Sequence, residues 1–147
     1  MRRRRILLAI PLTLVFVVVA VVAARFLTAE NRERDAITAL VNAEAQGRAG
    51  DVATRLESCP AACLRRLEPM IARLHGPGDV RLVRLDSATS YSLGRSEGWS
   101  RVVWVRGVDG RPVVQCVRVR RTGGPLTERS VTLLRLTAPL ADNEDSC

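Results

Sequence analysis

From Ile6 to Ala24 the chain runs for 19 residues without a charge, and only Pro11 and Thr13 depart from an apolar composition. A helix of that length rises about 29 Å at ~1.5 Å per residue, close to the ~30 Å hydrocarbon core of a bilayer, so the segment reads as a transmembrane helix. Arg2 to Arg5 precede it, and a stretch of mixed sign (Arg25, Glu30, Arg32, Glu33, Arg34, Asp35) follows. The positive-inside bias then puts residues 1–5 in the cytoplasm and everything after the span outside it. The expected partner is the lipid bilayer, contacted through Ile6 to Ala24. The alternative is a secretory signal cleaved near Ala20, Ala23 or Ala24, which changes the anchoring and not the compartment.

What remains of the 147 residues is enough for one compact domain. We expect a juxtamembrane linker at 25–29, an extracytoplasmic domain at 30–140 and a C-terminal tail at 141–147. All 23 basic residues are arginine, which reads as the codon bias of a high-GC bacterium. Four of the eight net positive charges belong to Arg2–Arg5, leaving 19 arginines against 15 acids, or +4, for the rest. Nucleic-acid binding would require a gathered basic face interleaved with stacking aromatics. The five aromatics are Phe16, Phe26, Tyr91, Trp99 and Trp104, two of them in or beside the apolar run, so no nucleic-acid partner is expected.

Four cysteines, Cys59, Cys63, Cys116 and Cys147, lie in a region already placed in an oxidising compartment, and two disulfides are the natural reading. Three pairings are possible. A spacing of four puts Cys59 and Cys63 on one helix face or across one turn, which leaves Cys116 to tether Cys147. Zinc ligation would need a second close pair or more than the single histidine, His75, and no metal site is expected. A redox pair usually shows a two-residue gap in a thioredoxin-like setting.

Thr28 to Gln46 has a helical pattern with Ile37, Leu40 and Val41 at i, i+3, i+4, closed by Gly47 and Gly50. A second helical stretch starts near Asp51, whose carboxylate is expected to cap it. Its apolar stripe (Val52, Leu56, Cys59, Cys63, Leu67, Met70, Ile71, Leu74) is expected to break at Pro60 and Pro69 into two or three short helices. After Gly76-Pro77-Gly78 the period becomes two, predicting strands near 79–86, 88–93, 100–107, 111–121 and 129–138. Asp109-Gly110 is the best hairpin signal, and Gly123-Gly124-Pro125 makes the next turn. In the fourth run Val113, Gln115, Val117 and Val119 share a buried face, with Arg118, Arg120 and Cys116 opposite.

Helices followed by strands predict an α+β domain, short helices packed on a curved antiparallel sheet of about five strands. In this order and length of elements, residues 30–140 resemble the NTF2-like, or cystatin-like, superfamily. Single-span bacterial proteins with an NTF2-like domain outside the membrane look similar, including actinobacterial accessory proteins of lipid-import systems and assembly subunits of secretion machines. The resemblance implies a scaffold or assembly role.

Gly94-Arg95-Ser96-Glu97-Gly98 matches a nucleophile elbow in letters only, since no histidine follows and strand flanks it. It reads as a polar loop. His75 suits proton transfer, with Asp79 or Asp86 as a partner, but its place before Gly76 makes helix capping the stronger reading. Gln115 and Tyr91 are candidate cavity-lining groups, Trp99 is a candidate contact residue, and Trp104 reads as core. The expectation is a membrane-anchored extracytoplasmic interaction or scaffold domain with an envelope protein as partner, without cofactor or catalytic residue. The alternatives are a binder of an apolar or lipid-like ligand in the concave sheet, and a small enzyme using His75.

Overall fold

The computed structural model describes residues 2–89, 95–107, 110–123, 130–141 and 147, with the side chains of 2–10, 25–27 and 29 outside the description. The chain forms α1 (Arg2–Ala45), α2 (Ala49–Arg55), α3 (Ala61–Leu74), β1 (Val80–Ser87), β2 (Ser96–Arg106), β3 (Val113–Thr122) and β4 (Ser130–Leu136). The α+β class follows as expected from the switch of period after Gly76.

The first helix departs most from expectation. It runs unbroken through the anticipated linker 25–29 to Ala45. Among the described residues no helix is long and apolar enough to cross a membrane, which corrects the transmembrane helix expected at 6–24. Within that segment the side chains of residues 11–24 are described. Apart from the half-buried Val22 they are exposed, with Leu12 and Phe16 at 73% and Val19 at 60%. The C-terminal half of α1 is instead part of the domain core: Ile37, Leu40 and Val41 are buried.

Gly47 ends α1. Its φ of +74° is the left-handed conformation that glycine adopts without steric cost, and the turn closes with Gly47 N–H donating to Glu44 O (3.0 Å) and Arg48 N–H to Ala43 O (3.0 Å). This is a Schellman closure, which satisfies two otherwise free carbonyls. Asp51 does not cap α2. It lies in the first turn and pairs with Arg48 (2.8 Å). Pro60 starts α3, but Pro69 lies inside it without ending it, so two short helices follow α1. Pro69 is exposed, where the lost i−4 bond leaves a carbonyl for water.

The sheet has four strands among the described residues, not five, in the order β1-β2-β3-β4 with every neighbour antiparallel. Of the strand expected at 88–93, Ala88 and Thr89 form a turn and 90–93 lie outside the described residues, as do Asp109 of the expected hairpin and Gly124-Pro125. Val83 is an extra residue between Leu82 and Arg84 in the β1–β2 register and points to solvent at 60% exposure, a bulge on the open edge.

The inner face carries Val102 and Trp104 from β2, Val117 and Val119 from β3, and Leu133 from β4, all buried against α1 together with Val52, Leu56, Leu67 and Ile71. Each such side chain contributes about 1.5–3 kcal/mol by leaving water. The chain after β4 continues along the edge of β3, with Thr137 N–H donating to Cys116 O (3.0 Å) and Leu140 N–H to Val114 O (2.7 Å).

Disulfides join Cys59 to Cys63 and Cys116 to Cys147, the pairing expected from spacing. They fit a protein that resides outside the cytoplasm or is secreted. The second bridge has a sequence separation of 31, and loop-closure entropy of that size is worth about 3–4 kcal/mol. Cys116→Ser is therefore expected to lower unfolding free energy by about that amount in urea titration, while Cys59→Ser, which opens a far shorter loop, costs about 2 kcal/mol.

Candidate functional site

Two buried polar clusters join α1 to the sheet. Glu33, fully buried, accepts hydrogen bonds from Ser100 Oγ (2.7 Å), Ser87 Oγ (3.2 Å) and Thr89 Oγ1 (3.4 Å), and pairs with both Nε (2.7 Å) and Nη2 of Arg121. Three strands and a turn thus converge on one helical carboxylate. Eleven residues on, or three helical turns, Glu44 is also fully buried and accepts from Gln115 Nε2 (2.7 Å), while Gln115 Oε1 accepts from Trp104 Nε1 (2.7 Å). Among the described residues Glu44 Oε2 has no hydrogen-bond partner. Burial pushes the Glu44 carboxyl up to about 7, only partly opposed by the Gln115 hydrogen bond. Both clusters are internal, and their chemistry is positional: they fix the rotation of α1 on the sheet.

The candidate residues from the sequence do not converge. Gln115 is a core hydrogen-bonding residue. Trp104 is 1% exposed and packed as expected. His75 is an exposed C-cap of α3, its N–H donating to Ile71 O (2.9 Å) and its ring lying over Gly47, where an added Cβ would come within 2.6 Å. Asp86 is taken by Arg84 (2.8 Å). Ser96, Glu97 and Gly98 are not a loop but the start of β2, opposite Arg121 to Val119, and Gly94 and Tyr91 lie outside the described residues. Trp99, on the outer face of β2, lines an open recess of about 510 Å³ with Asp86, Arg101 and Cys147. Among the described residues no group of His, Cys, Asp and Glu is placed to hold a metal ion.

Among the described residues the inner face of the sheet, offered as an alternative site for an apolar ligand, is packed with Val, Leu and Trp side chains beside α1. What the surface offers instead are grooves, and the arginines lining them were not singled out in the sequence. Arg66, Arg73, Arg106, Arg111 and Arg135 border three adjoining recesses along α3. The spacing of seven between Arg66 and Arg73, two helical turns, is the one signal that places a pair of them on a common face.

On the outer sheet face Arg120 bridges Glu97 (2.6 Å) and Glu57 (2.7 Å), and Arg118 reaches Glu97 (3.2 Å). Hydrogen bonding from Arg120 holds the Glu97 carboxyl below the usual range. These exposed pairs each add little stability. No family model, curated protein or solved structure matches this chain.

Proposed function

We infer that the protein is an extracytoplasmic interaction or scaffold domain that associates with lipid through the exposed apolar half of α1 and binds an envelope protein. The observation that carries this is the row of exposed Leu12, Leu14, Val15, Phe16, Val17, Val18 and Val19 on a helix whose other half is locked into a disulfide-tied core. Contiguous apolar surface of that kind is unfavourable in water and marks contact with lipid or protein. The helices-then-sheet order supports the NTF2-like analogy at the level of architecture.

An enzymatic reading loses its main support with His75 exposed at a helix end, and the apolar-ligand reading is weakened by the packed Val and Leu side chains of the inner face. Full-length protein is expected to float with phosphatidylethanolamine/phosphatidylglycerol vesicles in a density gradient. Val15→Asp/Phe16→Asp/Val19→Asp is expected to leave it in the dense fraction with unchanged thermal unfolding of the domain. Wild-type protein staying with the dense fraction would overturn the lipid contact.

A further inference from the structure

We propose that the trough along α3 is a docking site for an acidic, apolar-bearing segment of a partner protein. Three recesses of about 350, 400 and 300 Å³ adjoin there. The first two share Arg66, and the second and third share Arg73 and Leu74, so the depressions form one trough along the helix. The 14 residues of α3 give it a length of about 21 Å.

The floor is apolar, formed by Met70 and Leu74 of α3, Leu136 of β4 and Pro139 beyond it. The rim is basic, and among the described residues no aspartate or glutamate lines any of the three recesses. Arg106 is committed within the fold, donating to the carbonyl of Leu74 at the end of α3. Arg66, Arg73, Arg111 and Arg135 are exposed, and among the described residues no carboxylate pairs with them. Glu68, the one acid on α3, is turned about 200° from both Arg66 and Met70 and faces away from the trough. An apolar floor under exposed guanidinium groups complements a segment that presents apolar side chains downward and carboxylates to the sides.

A protein segment is favoured over an anionic lipid headgroup by position. Gly76 N–H donates to Ala45 O (3.3 Å), so the end of α3 carrying Arg73 sits at the far end of α1. From Ala24 to Ala45 the helix rises about 31 Å, which separates that end of the trough from the exposed apolar side chains by more than a headgroup layer. This assignment rests on the interaction-domain reading and names its surface.

The test is fluorescence anisotropy on the full-length chain in neutral detergent. The probes are a labelled peptide alternating glutamate and leucine and its counterpart with lysine for glutamate. The acidic peptide is expected to bind, the lysine peptide not, and Arg66→Glu/Arg73→Glu to weaken binding at least about tenfold, whereas Arg55→Glu/Arg81→Glu, a reversal of two exposed arginines elsewhere, has a small effect. Absence of acidic-peptide binding, or equal loss in both double variants, would overturn the site. So would loss of phosphatidylglycerol-vesicle binding in Arg66→Glu/Arg73→Glu without any peptide binding, which would assign the trough to lipid. Vesicle flotation driven by Val15, Phe16 and Val19 is a separate readout, so failure of the trough leaves the lipid contact standing and the converse.

Discussion

Arg121→Met is expected to destabilise the domain by about 3–5 kcal/mol, the largest effect of any single substitution considered, because it strands a fully buried carboxylate. In the native fold Glu33 is held by two guanidinium nitrogens of Arg121 and three hydroxyls, those of Ser87, Thr89 and Ser100. The hydroxyls alone leave its charge uncompensated in a low-dielectric setting. Replacing both partners, Glu33→Met with Arg121→Met, removes the stranded charge and is expected to be less damaging than Arg121→Met alone. Urea unfolding of the four species of this double-mutant cycle gives the coupling directly. A cost below ~1 kcal/mol for Arg121→Met would mean that α1 is not held to the sheet through Glu33.

The second large effect is a pH dependence that one substitution removes. Burial raises the Glu44 carboxyl from 4.5 to about 7, and its position in the last turn of α1 adds the unfavourable meeting of a negative charge with the helix C-terminus. Between these two values the folded state holds a proton that the unfolded chain has released. Glu44 therefore contributes stability that is fully present below about pH 4.5 and is lost as pH rises through about 7. At ~1.36 kcal/mol per pKa unit the change is on the order of 3 kcal/mol. Glu44→Gln keeps the hydrogen bond to Gln115 and carries no charge, so it is expected to flatten this fall and to be more stable than the wild type at pH 8 by about 2–3 kcal/mol. Matched unfolding curves at pH 5 and pH 8 check it. Equal pH dependence in both proteins would show that Glu44 does not titrate in this window.

Much of the architecture was legible from periodicity. The stripe of Ile37, Leu40 and Val41, the valine face of β3 and the disulfide pairing follow from spacing, and the structure carries all three. The buried clusters follow from the same stripes carried further. Extending the α1 stripe by three and four residues reaches Glu33 and Glu44, and extending the β3 face by two reaches Arg121, but charged residues at stripe ends read as solvated flanks. Their partners lie up to 88 positions away, and no local pattern couples a helix to a sheet across that distance. The number of strands was less legible, since the alternation of Ala88 to Tyr91 in hydropathy is too short to separate a turn from a strand. The membrane-spanning reading of 6–24 came from charge-free length, which says nothing of how far the same helix continues into the domain. The α3 trough was invisible because Arg66, Arg73, Arg111 and Arg135 are brought together by the packing of α3, β4 and the segment before β3.

Disulfides tie the domain and fit residence outside the cytoplasm or secretion. That compartment is tested most directly by counting free thiols by intact mass on protein alkylated in whole cells before lysis, then mapping the non-reduced peptides. No free thiol, with Cys59 joined to Cys63 and Cys116 to Cys147, is the predicted result. Four alkylated cysteines would contradict the compartment and, with it, the proposed envelope partner.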